Sequence, residues 1–197
     1  RLNYPLIDGV VNGCPSHLLE PQSINLINNS EPTAQESASN QVTYEAFSWY
    51  IGFSNCVKWS SLDNSFWYGG TVVGSTLYTL SVYVIMDDLT QPKAGSGLSN
   101  DFFIVIGNAQ ATNYSYENLG NNIWRVKGTQ TSSGINLGNN GIRKLSNSNK
   151  GFRAVGFQLE QQSYATSYIP TSGSAVTRVA ETANGAGDAS TFNDSEG

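Results

Sequence analysis

The sequence predicts an all-β sandwich, on three observations. Apolar residues recur with period two in several segments of strand length, Gly/Asn/Ser-rich clusters separate those segments, and no segment carries a convincing amphipathic helical period. A chain of 197 residues suffices for one such domain, with a core that needs neither disulfide nor metal. Composition agrees. Charged residues make up 13% of the chain, about half the usual globular share, and the abundant Gly, Asn, Ser and Thr favour turns over helix.

In chain order, residues 1–30 lack the strand rhythm and are expected as an N-terminal arm packing on the sandwich. The sandwich itself is assigned to residues 31–162. A short helical turn around Ala34 to Ala38 is conceivable, although the polar run there reads better as loop. "SFWYGGTVV" (65–73) predicts a strand broken by a Gly-Gly bulge or turn. "TLYTLSVYVIM" (76–86) places Tyr78, Leu80, Val82, Val84 and Met86 on one face, with Leu77, Thr79, Ser81, Tyr83 and Ile85 on the other. "DFFIVIG" (101–107) is β-branched and apolar enough for a strand buried on both sides. "NIWRVKGTQT" (122–131) sets Trp124 and Val126 against Arg125, Lys127 and Thr129. "GFRAVGFQLE" (151–160) groups Val155, Phe157 and Leu159, with Phe152 and Ala154 opposite. Residues 163–197 are expected as an extended C-terminal arm leading to a following domain. No internal repeat of solenoid or propeller period is present.

The chemistry that the residues allow is narrow. A formal charge of −5 argues against sequence-independent nucleic-acid binding and against an anionic lipid surface, and no apolar run is long enough for membrane insertion. His17, in "CPSHLLEP", is the only histidine, so neither a Ser–His–Asp set nor a structural zinc site can be assembled around it. Asp87, Asp88, Asp101 and Glu160 are the candidates for a paired-carboxylate site of the glycosidase kind. Asp87 and Asp88, however, close a strand as ordinary caps, and Glu160 is placed to hold the following tail through backbone N–H groups. No catalytic residue is assigned. A structural calcium ion held by loop carboxylates and carbonyls fits these residues better than a catalytic pair, since hard oxygen ligands suit it. Cys14 and Cys56 make no disulfide framework, and free buried thiols are the simpler expectation.

Aromatic residues are the more informative set. Trp49, Tyr50, Phe53, Trp59, Phe66, Trp67 and Tyr68 fall close together, and Tyr114 and Tyr116 lie in a polar segment. Aromatic faces stack on the apolar faces of sugar rings, while nearby Asn, Gln, Asp and Ser bond to hydroxyls. Trp49, Trp59, Trp67, Tyr114 and Tyr116 are therefore the candidate ligand-binding residues. Against this, most aromatics of a sandwich belong to its core, and Trp124 is assigned there.

Three segments together resemble a known modular family: "GCPSHLLEPQSINLINNSE", "NNIWRVKGT" and, most specifically, "GFQLEQQSYATSYIPTSGSAVTRVAE". The family is that of carbohydrate-binding-module-like units of bacteriophage tail and head fibre (spike) proteins and related secreted Bacteroidetes proteins. The three lie in the family's order and span residues 1 to about 181. His17 and Ile24 depart from the family's usual leucine and threonine. The resemblance implies a jelly-roll β-sandwich with extended arms, carried on a virion surface, with "TFNDSEG" leading into a concanavalin-A-like domain. Implied partners are a glycan on the host surface and other virion proteins, within a homotrimer. No binding residue is carried over from the family.

Three functions follow as expectations: a non-catalytic fibre module for host-glycan attachment, a structural spacer or trimerisation unit, and an accessory carbohydrate-binding module of a secreted polysaccharide-degrading enzyme. A catalytic sandwich is the outsider. "SYATSYIPTSGSAVTR" (163–178) is expected to lie back across the sandwich as a clasp, Tyr164 and Tyr168 packing their rings on the body with wet hydroxyls, and ligand contact lying elsewhere.

Overall fold

The period-two segments become antiparallel strands because each buries one face. The computed structural model describes residues 20–33, 42–61, 66–133 and 139–181, and of residues 1–19 only the backbone of four two-residue strands. Contacts divide the chain into two compact units, Ser23–Arg178 and the two ends, Arg1–Gln22 with Val179–Gly197. In the unit of the two ends, β1 (Leu2–Asn3) pairs with β4 (Ser16–His17), and β2 (Leu6–Ile7) pairs with β3 (Val10–Val11). The Glu181 N–H bonds the Glu20 carbonyl at 3.0 Å. The turn considered at Ala34 to Ala38 and the "TFNDSEG" end lie outside the described residues.

The larger unit is all-β: no helix occurs among its described residues, and its strands form antiparallel sheets. β5 (Ser23–Asn25) pairs with β16 (Val176–Arg178). The remaining strands are β6 (Thr43–Ala46), β7 (Asn55–Trp59), β8 (Phe66–Tyr68), β9 (Leu77–Met86), β10 (Phe102–Ile106), β11 (Ala109–Gln110), β12 (Asn113–Asn118), β13 (Trp124–Thr131), β14 (Gly141–Lys144) and β15 (Phe152–Glu160). They form a six-stranded sheet, β12-β13-β9-β15-β7-β6, and a four-stranded sheet, β11-β10-β14-β8. The chain alternates between the two from β7 to β10, and again from β13 to β15.

One core cluster joins the sheets. It holds Val57, Trp59, Tyr78, Leu80, Val82, Val84, Met86, Val126 and Phe152 from the larger sheet, and Trp67, Phe102, Ile104, Ile106 and Ile142 from the smaller. Trp59 stacks on Phe152 with ring centroids 4.7 Å apart, and Trp67 lies 4.0 Å from Phe157 across the layers. The alternation read from β9 and β13 is the alternation observed. β8 ends at Tyr68, just ahead of the two glycines, and Gly70 takes φ +67 against the Leu26 carbonyl.

β15 departs from strict alternation. A bulge shifts its pairing to β9 between Val155 and Gln158, with Gly156 at φ +65. A Cβ there would come within 2.5 Å of the Tyr83 ring, so the bulge needs glycine both for its dihedral and for its space. As a result Phe152, Ala154, Phe157 and Leu159 join the main core, while Val155 belongs to a second cluster on the other face of the sheet. The grouping of Val155 with Phe157 and Leu159 is thereby corrected.

Segments read as arms fold within the larger unit. Ile27 is a core residue. The buried Asn25 amide donates to the carbonyls of Phe157 (3.1 Å) and Ile169 (2.9 Å), and its Oδ1 accepts from the N–H of Ile27 and of Leu159, both at 3.1 Å. One side chain thus ties β5, β15 and the segment after β15, with its four hydrogen-bonding positions filled.

Candidate functional site

The outer face of the six-stranded sheet is where this unit offers a site. Outward positions on β9 are Leu77, Thr79, Ser81, Tyr83 and Ile85. Beside them on β13 stand Thr131, Thr129, Lys127 and Arg125, and beyond those on β12 stand Asn113, Ser115 and Glu117. The two ends of this face are treated differently by the chain.

At one end the face is covered. Trp49, Phe53, Cys56, Tyr83, Ile123 and Val155 form the second apolar cluster, with Tyr168 packed against it. The Tyr168 ring meets Phe53 edge-on at 5.1 Å and Tyr83 at 5.9 Å, and its hydroxyl bonds the Ser30 hydroxyl. Arg125, also outward, is buried beneath the 161–171 segment. Its guanidinium donates to the Thr166 carbonyl (2.7 Å) and the Ser81 hydroxyl (3.0 Å), and it lies 5.5 Å from the Tyr83 ring.

The segment is anchored by Glu160, fully buried at the end of β15. Its carboxylate accepts from the Ser23 hydroxyl (2.6 Å), the Gln158 and Gln162 amides (2.7 and 2.9 Å), and the hydroxyl and the N–H of Thr166 (the latter 3.0 Å). Five donors replace the water such a charge would otherwise need. Gln158 extends the network by accepting the Ile169 N–H at 2.6 Å.

At the other end the face is open. A recess of about 460 Å³ is lined by Leu77, Thr79, Asn113, Tyr114, Ser115, Lys127 and Thr129, with Ser163, Tyr164 and Ala165 also lining it. That volume lies within the ~300–1,000 Å³ common for small-molecule sites. Tyr164 is 52% exposed and Leu77 is 41% exposed. Ser115, Asn113 and Ser163 are exposed, whereas the Thr79 hydroxyl is committed to the Gln162 carbonyl at 2.8 Å. Lys127 reaches Glu117 at 2.8 Å. A second recess of about 370 Å³, lined by Gly95, Ser96, Gln110, Ala111, Thr112 and Tyr114, shares Tyr114 with the first.

The residues chosen from sequence as stacking platforms lie elsewhere. Trp49, Trp59 and Trp67 are 3%, 0% and 0% exposed, so none presents a ring face to solvent. Register explains two of them: Trp59 pairs with the inward Phe152, and Trp67 with the inward Ile142. Tyr114 and Tyr116 point inward from β12 and pack against the main core. The Tyr114 hydroxyl accepts the Ile104 N–H at 3.1 Å, and the Tyr116 hydroxyl accepts the Ala94 N–H at 2.9 Å. Of the five, Tyr114 alone lines the recess. Trp124, assigned to the core, is partly buried against it. Tyr164, expected to pack, is more than half exposed and borders the recess, whereas Tyr168 packs and its hydroxyl is bonded rather than wet. The sequence signal for Tyr164 is an aromatic in a polar segment, the same signal that singled out Tyr114 and Tyr116.

The carboxylate candidates are occupied. Asp87 pairs with Lys58 and Arg153. Asp88 pairs with Lys150 at 2.8 Å, which together with Thr90 holds its carboxyl down at about 2. Asp101, buried, accepts the Lys93 N–H and the Ser148 hydroxyl. Cys56 is free and buried, and burial followed by the Glu45 charge pushes its thiol up to about 11, far from a thiolate nucleophile. The side chains of Cys14 and His17 lie outside the described residues. Among the described residues no three His, Cys, Asp or Glu side chains come together as a metal-ligand group.

Compared with known proteins, the chain matches no family model, and it has no significant match among curated proteins.

Proposed function

We propose that this chain is a non-catalytic, glycan-binding module of a virion fibre or spike, and that the recess beside Tyr164 is its sugar site. The observation that carries the reading is the pairing of a half-exposed tyrosine with an open, polar stretch of sheet. An aromatic ring offers a stacking face for a pyranose, and Asn113, Ser115, Thr129 and Ser163 offer donors and acceptors for its hydroxyls. The alternation of strands between the sheets, with β7-β15-β9-β13 in one and β8-β14-β10-β11 in the other, supports a jelly roll. The resemblance of the three segments supports placement on a virion surface, with extracellular secretion as the alternative.

A glycan array tests it, using wild type and Tyr164→Ala. The expected result is binding to at least one host-surface glycan by wild type and at least a tenfold loss in the variant. Absence of binding to every glycan overturns the proposal. Substituting Trp59 or Trp67 would not serve, since their truncation hollows the core.

Burial of Trp49, Trp59 and Trp67 favours a second reading, a structural spacer or trimerisation unit without a ligand. Light scattering of the purified chain, with hydrogen exchange at 113–115 and 163–165, separates the two. A homotrimer that protects those residues supports the structural role, whereas a recess left unprotected supports the glycan site.

A further inference from the structure

The recess has one charged side chain among its lining residues, Lys127. It lies on β13 directly opposite Ser115 of β12, between the hydroxyls of the open sheet. Its ammonium is held by Glu117, which does not line the recess and whose side chain is 49% exposed. Such an exposed ion pair is weak, because water screens both charges. The ammonium can therefore exchange that partner for another carboxylate at little cost. The neighbouring cation on the same strand, Arg125, is unavailable, being buried under the 161–171 segment. On the β15 side Glu160, which pairs with Thr79, is also fully buried, with its oxygens occupied.

Resting on the glycan reading, we infer that the recess selects carboxylate-bearing sugars, with Lys127 as the specificity-determining residue. The ring of the sugar lies against Tyr164, its hydroxyls bond Asn113, Ser115 and Thr129, and its carboxylate takes the Lys127 ammonium from Glu117. A charge-assisted bond to an ammonium is roughly twice as strong as a neutral one, so an acidic sugar gains over its neutral counterpart at this one contact. The protein as a whole is acidic at −5, but charges beyond ~8–10 Å are largely screened at physiological salt, and the local cation decides.

The test uses two matched pairs: a uronic-acid oligosaccharide with its carboxyl-reduced form, and sialyl-lactose with lactose. Calorimetry or a biosensor compares wild type, Lys127→Gln and Glu117→Gln, each checked by thermal melting. Wild type should bind one acidic member about tenfold tighter than its neutral partner, and added salt should narrow the gap. Lys127→Gln should remove the preference by weakening the acidic member toward its neutral partner, while Glu117→Gln, which frees the ammonium, should tighten the acidic ligand a few fold. Whichever pair responds identifies the source of the carboxylate. Equal binding of acidic and neutral members, or a preference that survives Lys127→Gln, overturns the inference while leaving the glycan reading standing. Failure of all four sugars to bind also overturns it. The array with Tyr164→Ala then decides whether any sugar site remains.

Discussion

Two ends of one sheet face have opposite fates here, although the same strands build both. Around Tyr83, Ile85 and Val155 the outward residues are apolar or aromatic, and the chain covers them with Trp49, Phe53 and Tyr168. Around Asn113, Ser115 and Thr129 the outward residues are short and polar, and the face stays open. The difference is one of solvation. Apolar outward positions gain from cover at about 25 cal/mol per Å² removed from water, whereas hydroxyls would each need a partner under any cover. The sheet thus carries a covered end and an open end on a single face, and the segment after β15 serves both. It seals one end with Tyr168 and borders the other with Tyr164.

The largest effect should come from cutting the anchor of that segment. Glu160→Ala removes an acceptor shared by five donors, four of them buried. At ~1–3 kcal/mol for each donor left unmet, and with some rebonding, it should cost roughly 3–5 kcal/mol in urea unfolding. Hydrogen exchange over 161–171 should rise first, and Arg125 should lose its carbonyl partner at Thr166. A variant that loses stability with the segment still protected would show that the network does not hold it.

Alkaline pH should act on the covered and inward tyrosines together. Burial pushes Tyr114 up to about 12 and Tyr168 further up, from the ordinary value near 10. The unfolded chain loses these protons first. Stability is therefore fully present below about pH 10 and is lost progressively as pH rises from there through about 12. Tyr114→Phe with Tyr168→Phe should flatten this decline relative to wild type. A decline that persists unchanged would assign it to other groups.

How much of this is legible in the sequence depends on periodicity. Tyr78 to Met86 and Trp124 to Thr129 declare their faces because each residue of a regular strand alternates, and the structure keeps both alternations. Val155 does not declare its face, since a bulge at Gly156 resets the alternation and one glycine in an apolar run does not announce it. Trp59 and Trp67 stand out in the sequence as candidate platforms because composition marks an aromatic as useful to sugar and core alike. Only the pairing of Trp59 with Phe152 and of Trp67 with Ile142 sends them inward. The tail was the hardest. Tyr164 and Tyr168 stand four residues apart in an irregular segment with no period to separate them, and long-range contacts with Phe53, Tyr83 and Ser30 decide which one is covered.

A substitution at the covered end of the comparison should have an intermediate effect. Tyr168→Ala removes a ring packed against Phe53 and Tyr83 and a hydroxyl bonded to Ser30, for about 2–3 kcal/mol by its burial. It should also raise exchange at Trp49–Phe53 without altering residues of the open end. Tyr168→Phe, which keeps the ring, should cost only about 1 kcal/mol.

Tyr164→Ala should have the smallest effect on stability and the most specific one on function. With 52% of the residue already exposed, its truncation falls in the class of surface changes that stay within about 0.5 kcal/mol. Its melting curve should overlay that of wild type, and protection of 166–171 should be unchanged, because Thr166 and Tyr168 carry the anchoring contacts. Any loss of sugar binding in this variant then belongs to the recess itself. A Tyr164→Ala protein as destabilised as Tyr168→Ala would break the comparison, because both tyrosines would then belong to the cover and the open end would lack its aromatic border.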